Sequence, residues 1–143
     1  NTFNSEEGVL YVEMAALSNP SIPSRITASN GSGLNRGSIG FDNLNTIRIV
    51  IVADVITVKN GGEIFTDTTD INKMALLYES GNSRLYVNGI LIKTYTTVFD
   101  NVFLDRLDFT GDDGSSSPFY GKTKAVKVYK SIAEAQKDLT YIT

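Results

Sequence analysis

The stretch NKMALLYESGNSRLYVNGILIKTY, residues 72–95, decides how this chain folds. Two turn signals, ESGNS at 79–83 and Asn88-Gly89, divide it into three runs of strand-forming residues. Asn-Gly between apolar neighbours marks a hairpin, because a type I′ turn needs positive φ at both central positions. A two-residue turn also sets register. Val87 is expected opposite Ile90, Tyr86 opposite Leu91, Leu85 opposite Ile92 and Arg84 opposite Lys93. Side chains alternate along a strand, so Leu85, Val87, Ile90 and Ile92 should face the core. Arg84, Tyr86, Leu91 and Lys93 should form a half-polar outer face, where two opposed cations call for an anion, a carboxylate or water.

Working outward, the chain reads as strand after strand. Residues 8–17 (GVLYVEMAAL) are apolar on both faces except at Glu13, as a central strand would be. Two prolines make 19–23 a loop, residues 25–28 form a short strand, and NGSG at 30–33 is a turn. Residues 36–41 are a glycine-broken strand nearer an edge. NTIRIVIVA at 45–53 is dominated by β-branched residues, with Ile47, Ile49 and Ile51 on one face and Arg48, Val50 and Val52 on the other. Runs at 56–59 and 62–65 flank Asn60-Gly61, expected as a second hairpin turn. A strand at 103–109 and a turn-rich surface loop at 111–118 (GDDGSSSP) follow. The strand at 122–130 turns Val126 and Val128 inward. Ser131, three residues before Glu134, has the spacing of a helix N-cap, with Ala135, Leu139 and Ile142 after it.

Roughly ten short strands, frequent turns and no βαβ alternation predict an all-β fold: an antiparallel two-sheet sandwich of jelly-roll type with one short C-terminal helix. Its 143 residues make one domain, 1–143, able to bury about two-thirds of its unfolded surface. The start at Asn1 without Met is what excision from a longer chain would give. The chain has no cysteine, which excludes disulfides and thiolate metal sites. It has no histidine, which removes the usual general base and the Ser-His arrangement. A net charge of −3 with interspersed signs argues against a nucleic-acid partner. No apolar run approaches the ~20 residues that span a bilayer, so membrane insertion is not expected.

Taken together, FNSEEGVLYVE, the hairpin, LDRLDFTG and SPFYGKTKAVKVYKSIAEAQ resemble the laminin-G-like, concanavalin-A-like lectin/glucanase domains. The version in bacteriophage tail and fibre proteins is the most similar, through Leu85-Tyr86-Val87-Asn88-Gly89, Phe119-Tyr120-Gly121 and Val128-Tyr129-Lys130. The resemblance covers roughly residues 3–143 and rests on turn and core positions, so it marks the fold more than an activity. It implies a non-catalytic carbohydrate-binding or host-adhesion module at a virion surface or outside the cell. The implied partner is a cell-surface or extracellular polysaccharide, with other virion subunits or a homo-oligomer as further partners.

Sugar sites combine an aromatic face with fixed Asp, Asn, Ser or Arg groups. The candidates are Tyr120 beside the loop, Asp112, Asp113 and Ser116 within it, and Tyr86 with Arg84 on the outer face of the hairpin. Each tyrosine either stacks on a sugar or packs on neighbouring strands with its hydroxyl wet, and the sequence leaves both open. No cofactor is called for. Calcium is the one cation that Asp112 and Asp113 would suit, since hard cations take oxygen ligands. Glycosidases of the resembled fold use an E-x-D-x-E strand, and none of Glu6, Glu7, Glu13, Glu63, Glu79 or Glu134 sits in that pattern. Asp105 and Asp108 share no strand face, so no enzyme is expected. The alternatives are a structural or oligomerisation domain of a virion without a glycan site and, more remotely, a polysaccharide-degrading enzyme.

Overall fold

The computed structural model describes residues 3–17, 24–42, 45–65, 67–111 and 118–143. Ten strands and a helix follow in order: β1 (Glu7–Ala16), β2 (Ser24–Ser29), β3 (Asn35–Asp42), β4 (Thr46–Ala53), β5 (Ile56–Phe65), β6 (Asn72–Glu79), β7 (Ser83–Val87), β8 (Ile90–Tyr95), β9 (Arg106–Asp108), β10 (Gly121–Tyr129) and α1 (Ile132–Asp138). They form two five-stranded antiparallel sheets, β10-β1-β6-β7-β8 and β5-β4-β3-β2-β9. This is the expected sandwich with its short C-terminal helix.

Alternation builds the core. Leu10, Val12 and Met14 of β1 and Met74 and Leu76 of β6 meet Ile26, Ile39, Phe41, Ile47, Ile49 and Ile51 of the second sheet. The opposite face of β1 is also dry. Val9 and Tyr11 pack with Ala75, Leu77 and Tyr86 beneath Ile132, Ala135, Leu139 and Ile142 of the C-terminal segment. Each large apolar side chain so covered contributes about 1.5–3 kcal/mol. Ser131 caps α1 as expected, its Oγ accepting from Glu134 N at 3.0 Å. Glu7 adds a second cap from β1, accepting from Ile132 N at 3.0 Å.

Residues 36–41, expected nearer an edge, form β3 at the centre of the second sheet, where Gly40 lets β2 approach closely, and four further sequence expectations change. Asn88 and Gly89 do adopt positive φ (51° and 84°), and Val87 and Tyr86 pair with Ile90 and Leu91. Beyond them a bulge shifts the register, so Leu85 faces Lys93 and Arg84 faces Thr94. The two cations therefore never oppose each other. Leu85 and Val87 are buried and Ile92 is half-buried, but Ile90 at the hairpin tip is exposed. Second, Asn60-Gly61 is not a hairpin turn. It lies inside β5 opposite Val50 and Ile49, between two register shifts that absorb its irregular backbone. The turn falls at Asp54 and Val55, with φ of 44° and 71°. Long-range bonds hold it there: Val55 N donates to Leu34 O at 3.3 Å, and Asp54 N donates to Asn35 Oδ1 at 3.2 Å.

Third, the strand expected at 103–109 shrinks to Arg106–Asp108, because Phe103 N donates to the Asn35 side chain and Asp105 N to Ser29 O rather than to a ladder. Fourth, the outer face of the hairpin is not open, since Tyr86 and Arg84 are 3% and 8% exposed. The Tyr86 ring packs on Tyr141 with centroids 5.7 Å apart, and its hydroxyl accepts from Thr143 N. Among the described residues, no helix is long and apolar enough to cross a membrane.

Candidate functional site

The C-terminal segment covers the outer face of the first sheet, and no described helix or strand lies across the outer face of the second. Strand register fixes what that second face carries. Ile47, Ile49 and Ile51 point into the core, so Arg48, Val50 and Val52 point out. Arg48 lies opposite Gly40, which lies opposite Arg25. Val50 lies opposite Ser38, and Ser38 opposite Thr27. Val52 lies opposite Arg36, then come Ser29 and Arg106. Four of the chain's five arginines thus share one sheet face.

Small residues form the floor between them. Thr27 and Ser38 are fully buried and joined by a 2.7 Å bond between their hydroxyls. At Gly40 a side chain is excluded, because a Cβ there would come within 2.0 Å of Ser24 O and 2.9 Å of Arg25 Cγ. The arginine stem therefore runs over bare backbone. Arg25, Arg36 and Arg48 are half-buried and Arg106 is exposed. Arg48 is fixed by Asp42 Oδ2 (2.8 Å) and by Asn60 Oδ1 (2.7 Å). Arg106 holds Asp105 Oδ1 at 2.7 Å, a bond that keeps the Asp105 carboxyl below the usual carboxylate range. Guanidinium groups held this way are planar, forked hydrogen-bond donors.

Tyr120 stands at the start of β2, against Ser24, whose side chain shares the core-facing side of Ile26 and not the side of Arg25. It is 60% exposed, and its N–H donates to Ser24 Oγ at 2.9 Å, one residue before Arg25. Phe109, also exposed, adjoins Thr110, whose carbonyl accepts from Thr27 Oγ1 at 2.7 Å. Of the sequence candidates, Tyr120 is exposed and tied to the start of β2, while Asp112, Asp113 and Ser116 lie outside the described residues. Tyr86 and Arg84 lie on the first sheet, beneath the C-terminal segment. Burial alone would raise the Tyr86 phenol, but its bonds to Thr143 and the nearby Arg84 draw it below its ordinary value. Among the described residues, no three acidic side chains gather as a metal site would require.

The sequence reading missed Arg25, Arg36, Arg48 and Arg106 as a group. Each alternates with apolar or small neighbours within its own strand, but only cross-strand register shows that the four share a face.

No protein-family model matches the chain, and no curated protein does either. Solved structures do match. The carbohydrate-binding module CBM40 of a Ruminococcus gnavus IT-sialidase, bound to α2,3-sialyllactose, superposes with a TM-score of 0.66 at 19% identity, covering 95% of this chain and 82% of the module. Domain 4 of AbnA, a GH43 extracellular arabinanase from Geobacillus stearothermophilus, in complex with arabinotriose, gives 0.64 at 14% identity over 90% of this chain and 62% of that one. Domains LG4-5 of the mouse laminin α1 chain give 0.56 at 8% identity over 72% and 27%. The fold is a lectin-like β-sandwich. At these identities the likeness is one of fold.

Proposed function

We propose that this chain is a non-catalytic carbohydrate-binding module that holds acidic glycans on the outer face of its second sheet. One observation carries the reading: four arginines share that face over a serine, threonine and glycine floor, and Tyr120 is exposed at the start of β2. A guanidinium fork meets a carboxylate with two parallel bonds. An exposed aromatic ring meets the C–H face of a sugar. The sialyllactose and arabinotriose carried by two of the structural neighbours favour a glycan over other anions. A non-catalytic role is supported by the work the glutamates already do. Glu7 caps α1, Glu13 accepts the Tyr11 hydroxyl and Glu63 pairs with Lys59.

Calorimetric titration with 3′-sialyllactose against lactose tests the reading. The sialylated sugar should bind more tightly and lose affinity with added salt. Arg25→Ala and Arg36→Ala should each weaken it by about 10-fold or more, the worth of one charge-assisted contact. Tyr120→Ala should weaken it while the melting temperature stays within a few degrees. Equal affinity for the two sugars, or no effect of the arginine substitutions, refutes the reading.

The finer placement is the surface of a phage virion, with a bacterial cell-surface polysaccharide as partner. It is supported by the Leu85–Gly89 and Val128–Lys130 motifs and is tested by binding of the labelled module to encapsulated against capsule-stripped cells. A second reading, a structural or oligomerisation domain, is favoured by Leu17, Ile71, Ile90 and Leu91. These residues are exposed at the end of the first sheet that carries the Asn88-Gly89 turn. Silence across a glycan panel, with a stable oligomer by light scattering, would replace the first reading with this one.

A further inference from the structure

At the end of the sandwich away from Asn88-Gly89, an open groove of about 680 Å³ is lined by Phe103, Phe3, Asn4, Asn30, Asp105 and Lys130. It lies in the volume range of small-ligand sites. Phe103 is 50% exposed in this groove, although its backbone is firmly placed. Its N–H donates to the buried Asn35 Oδ1 at 2.9 Å, Val102 N donates to Ser5 O at 2.9 Å, and Asp105 N donates to Ser29 O at 2.8 Å. The opposite wall is fixed too, since the Tyr78 hydroxyl donates to Asn4 O at 2.8 Å.

The polar groups of the groove are sorted by role. Asn4 Oδ1 accepts from Glu6 N, and Asn30 Oδ1 accepts from Ser32 N. Each amide therefore has its oxygen committed to its own turn and keeps its NH2 as a donor. Lys130 adds an ammonium donor, and Asp105, tied to Arg106 through one oxygen, supplies the acceptor. A half-exposed aromatic ring on a fixed backbone, separated amide donors and one carboxylate match a molecule with one apolar face and hydroxyls around its edge.

We infer that this groove is a second saccharide site, separate from the arginine face, which takes a neutral sugar ring on Phe103. The face and the groove meet at Asp105 and Arg106, so a branched or extended glycan can engage both. Such two-point attachment raises avidity without any new contact.

Lactose, maltotriose and arabinotriose, titrated into the 15N-labelled chain, test this directly, with glycerol as the non-cyclic polyol control. Saturable amide shifts at Asn4, Asn30, Phe103 and Asp105 are expected for at least one sugar and not for glycerol. Phe103→Ala should weaken that binding at least 10-fold with an unchanged melting temperature, and Asn30→Ala should weaken it less. Arg36→Ala should leave it intact, which separates this site from the acidic-glycan reading. No groove shifts with any sugar, equal shifts with glycerol, or binding that survives Phe103→Ala overturns the inference. Loss of 3′-sialyllactose binding in Arg36→Ala bears only on the sheet face.

Discussion

Asn35 is the residue on which the groove end of the molecule depends, and Asn35→Ala exposes how much. Its side chain is 6% exposed, and Oδ1 accepts two backbone donors from separate loops, Asp54 N at 3.2 Å and Phe103 N at 2.9 Å. Truncation removes the shared acceptor and leaves both N–H groups without that partner. An unsatisfied buried donor costs about 1–3 kcal/mol, and partial access of water at the loop end brings the pair to about 2–4 kcal/mol. For a domain of this size each kcal/mol lowers the melting temperature by about 3 °C, so a fall of about 6–12 °C is expected by calorimetry. Hydrogen exchange supplies the local signature. The Asp54 and Phe103 amides should exchange at least ten times faster, while the β1 and β6 amides change only with global stability. A loss under about 3 °C with unchanged exchange at both amides would refute the bracket.

Two further predictions follow from backbone strain and titration. Val55 has φ of 71° and is 66% exposed, so a β-branched residue sits in the left-handed region with little packing to lose. Val55→Gly relieves that strain, and the protein should gain about 1 kcal/mol by denaturant titration despite the added freedom of the unfolded chain. The second concerns alkaline pH, because burial pushes the phenols of Tyr78 and Tyr129 up to about 12, with Asp138 as the next cause at Tyr129. A raised folded-state value means that the stabilisation is complete below the ordinary phenol value of about 10 and is lost as pH rises through about 12. Urea midpoints should therefore be flat from pH 7 to 9 and fall between 10 and 12. Tyr78→Phe should flatten that fall.

The fold was legible where alternation and turn chemistry agreed. Val87-Asn88-Gly89-Ile90 specified its own turn, and the isoleucines of β4 specified their own face. Elsewhere a tertiary contact overrode the local signal. Asn60-Gly61 has the chemistry of a hairpin, yet β5 pairs with β4 on both sides of it and takes it in as an irregularity. Asp54-Val55 has poor turn chemistry and turns because Leu34 and Asn35 hold it. The bulge beyond Tyr86 likewise left no local mark in the sequence. Site residues were legible only in part. Tyr120 was a candidate from loop chemistry, whereas the arginine face needs the register of four strands and the groove needs loops joined by Val102 N to Ser5 O, Asp105 N to Ser29 O and Phe103 N to Asn35 Oδ1.

The two sheets differ in what the described residues lay over their outer faces. β1 is apolar on both faces because one face meets the core and the other meets Ile132, Leu139 and Ile142. An arginine exchanged for Val9 or Leu77 would bring a charge beneath the C-terminal segment, a cost of several kcal/mol without a partner. No described helix or strand lies across the outer face of the second sheet, where Arg25, Arg36 and Arg48 are half-buried around Gly40, Ser38 and Thr27. On the proposed reading, the helix that closes one face of the sandwich leaves charged recognition to the other. The double-sided apolar pattern of β1, set against the Arg-bearing alternation of β4, marks the sheet beneath the C-terminal segment and the sheet that carries the arginines.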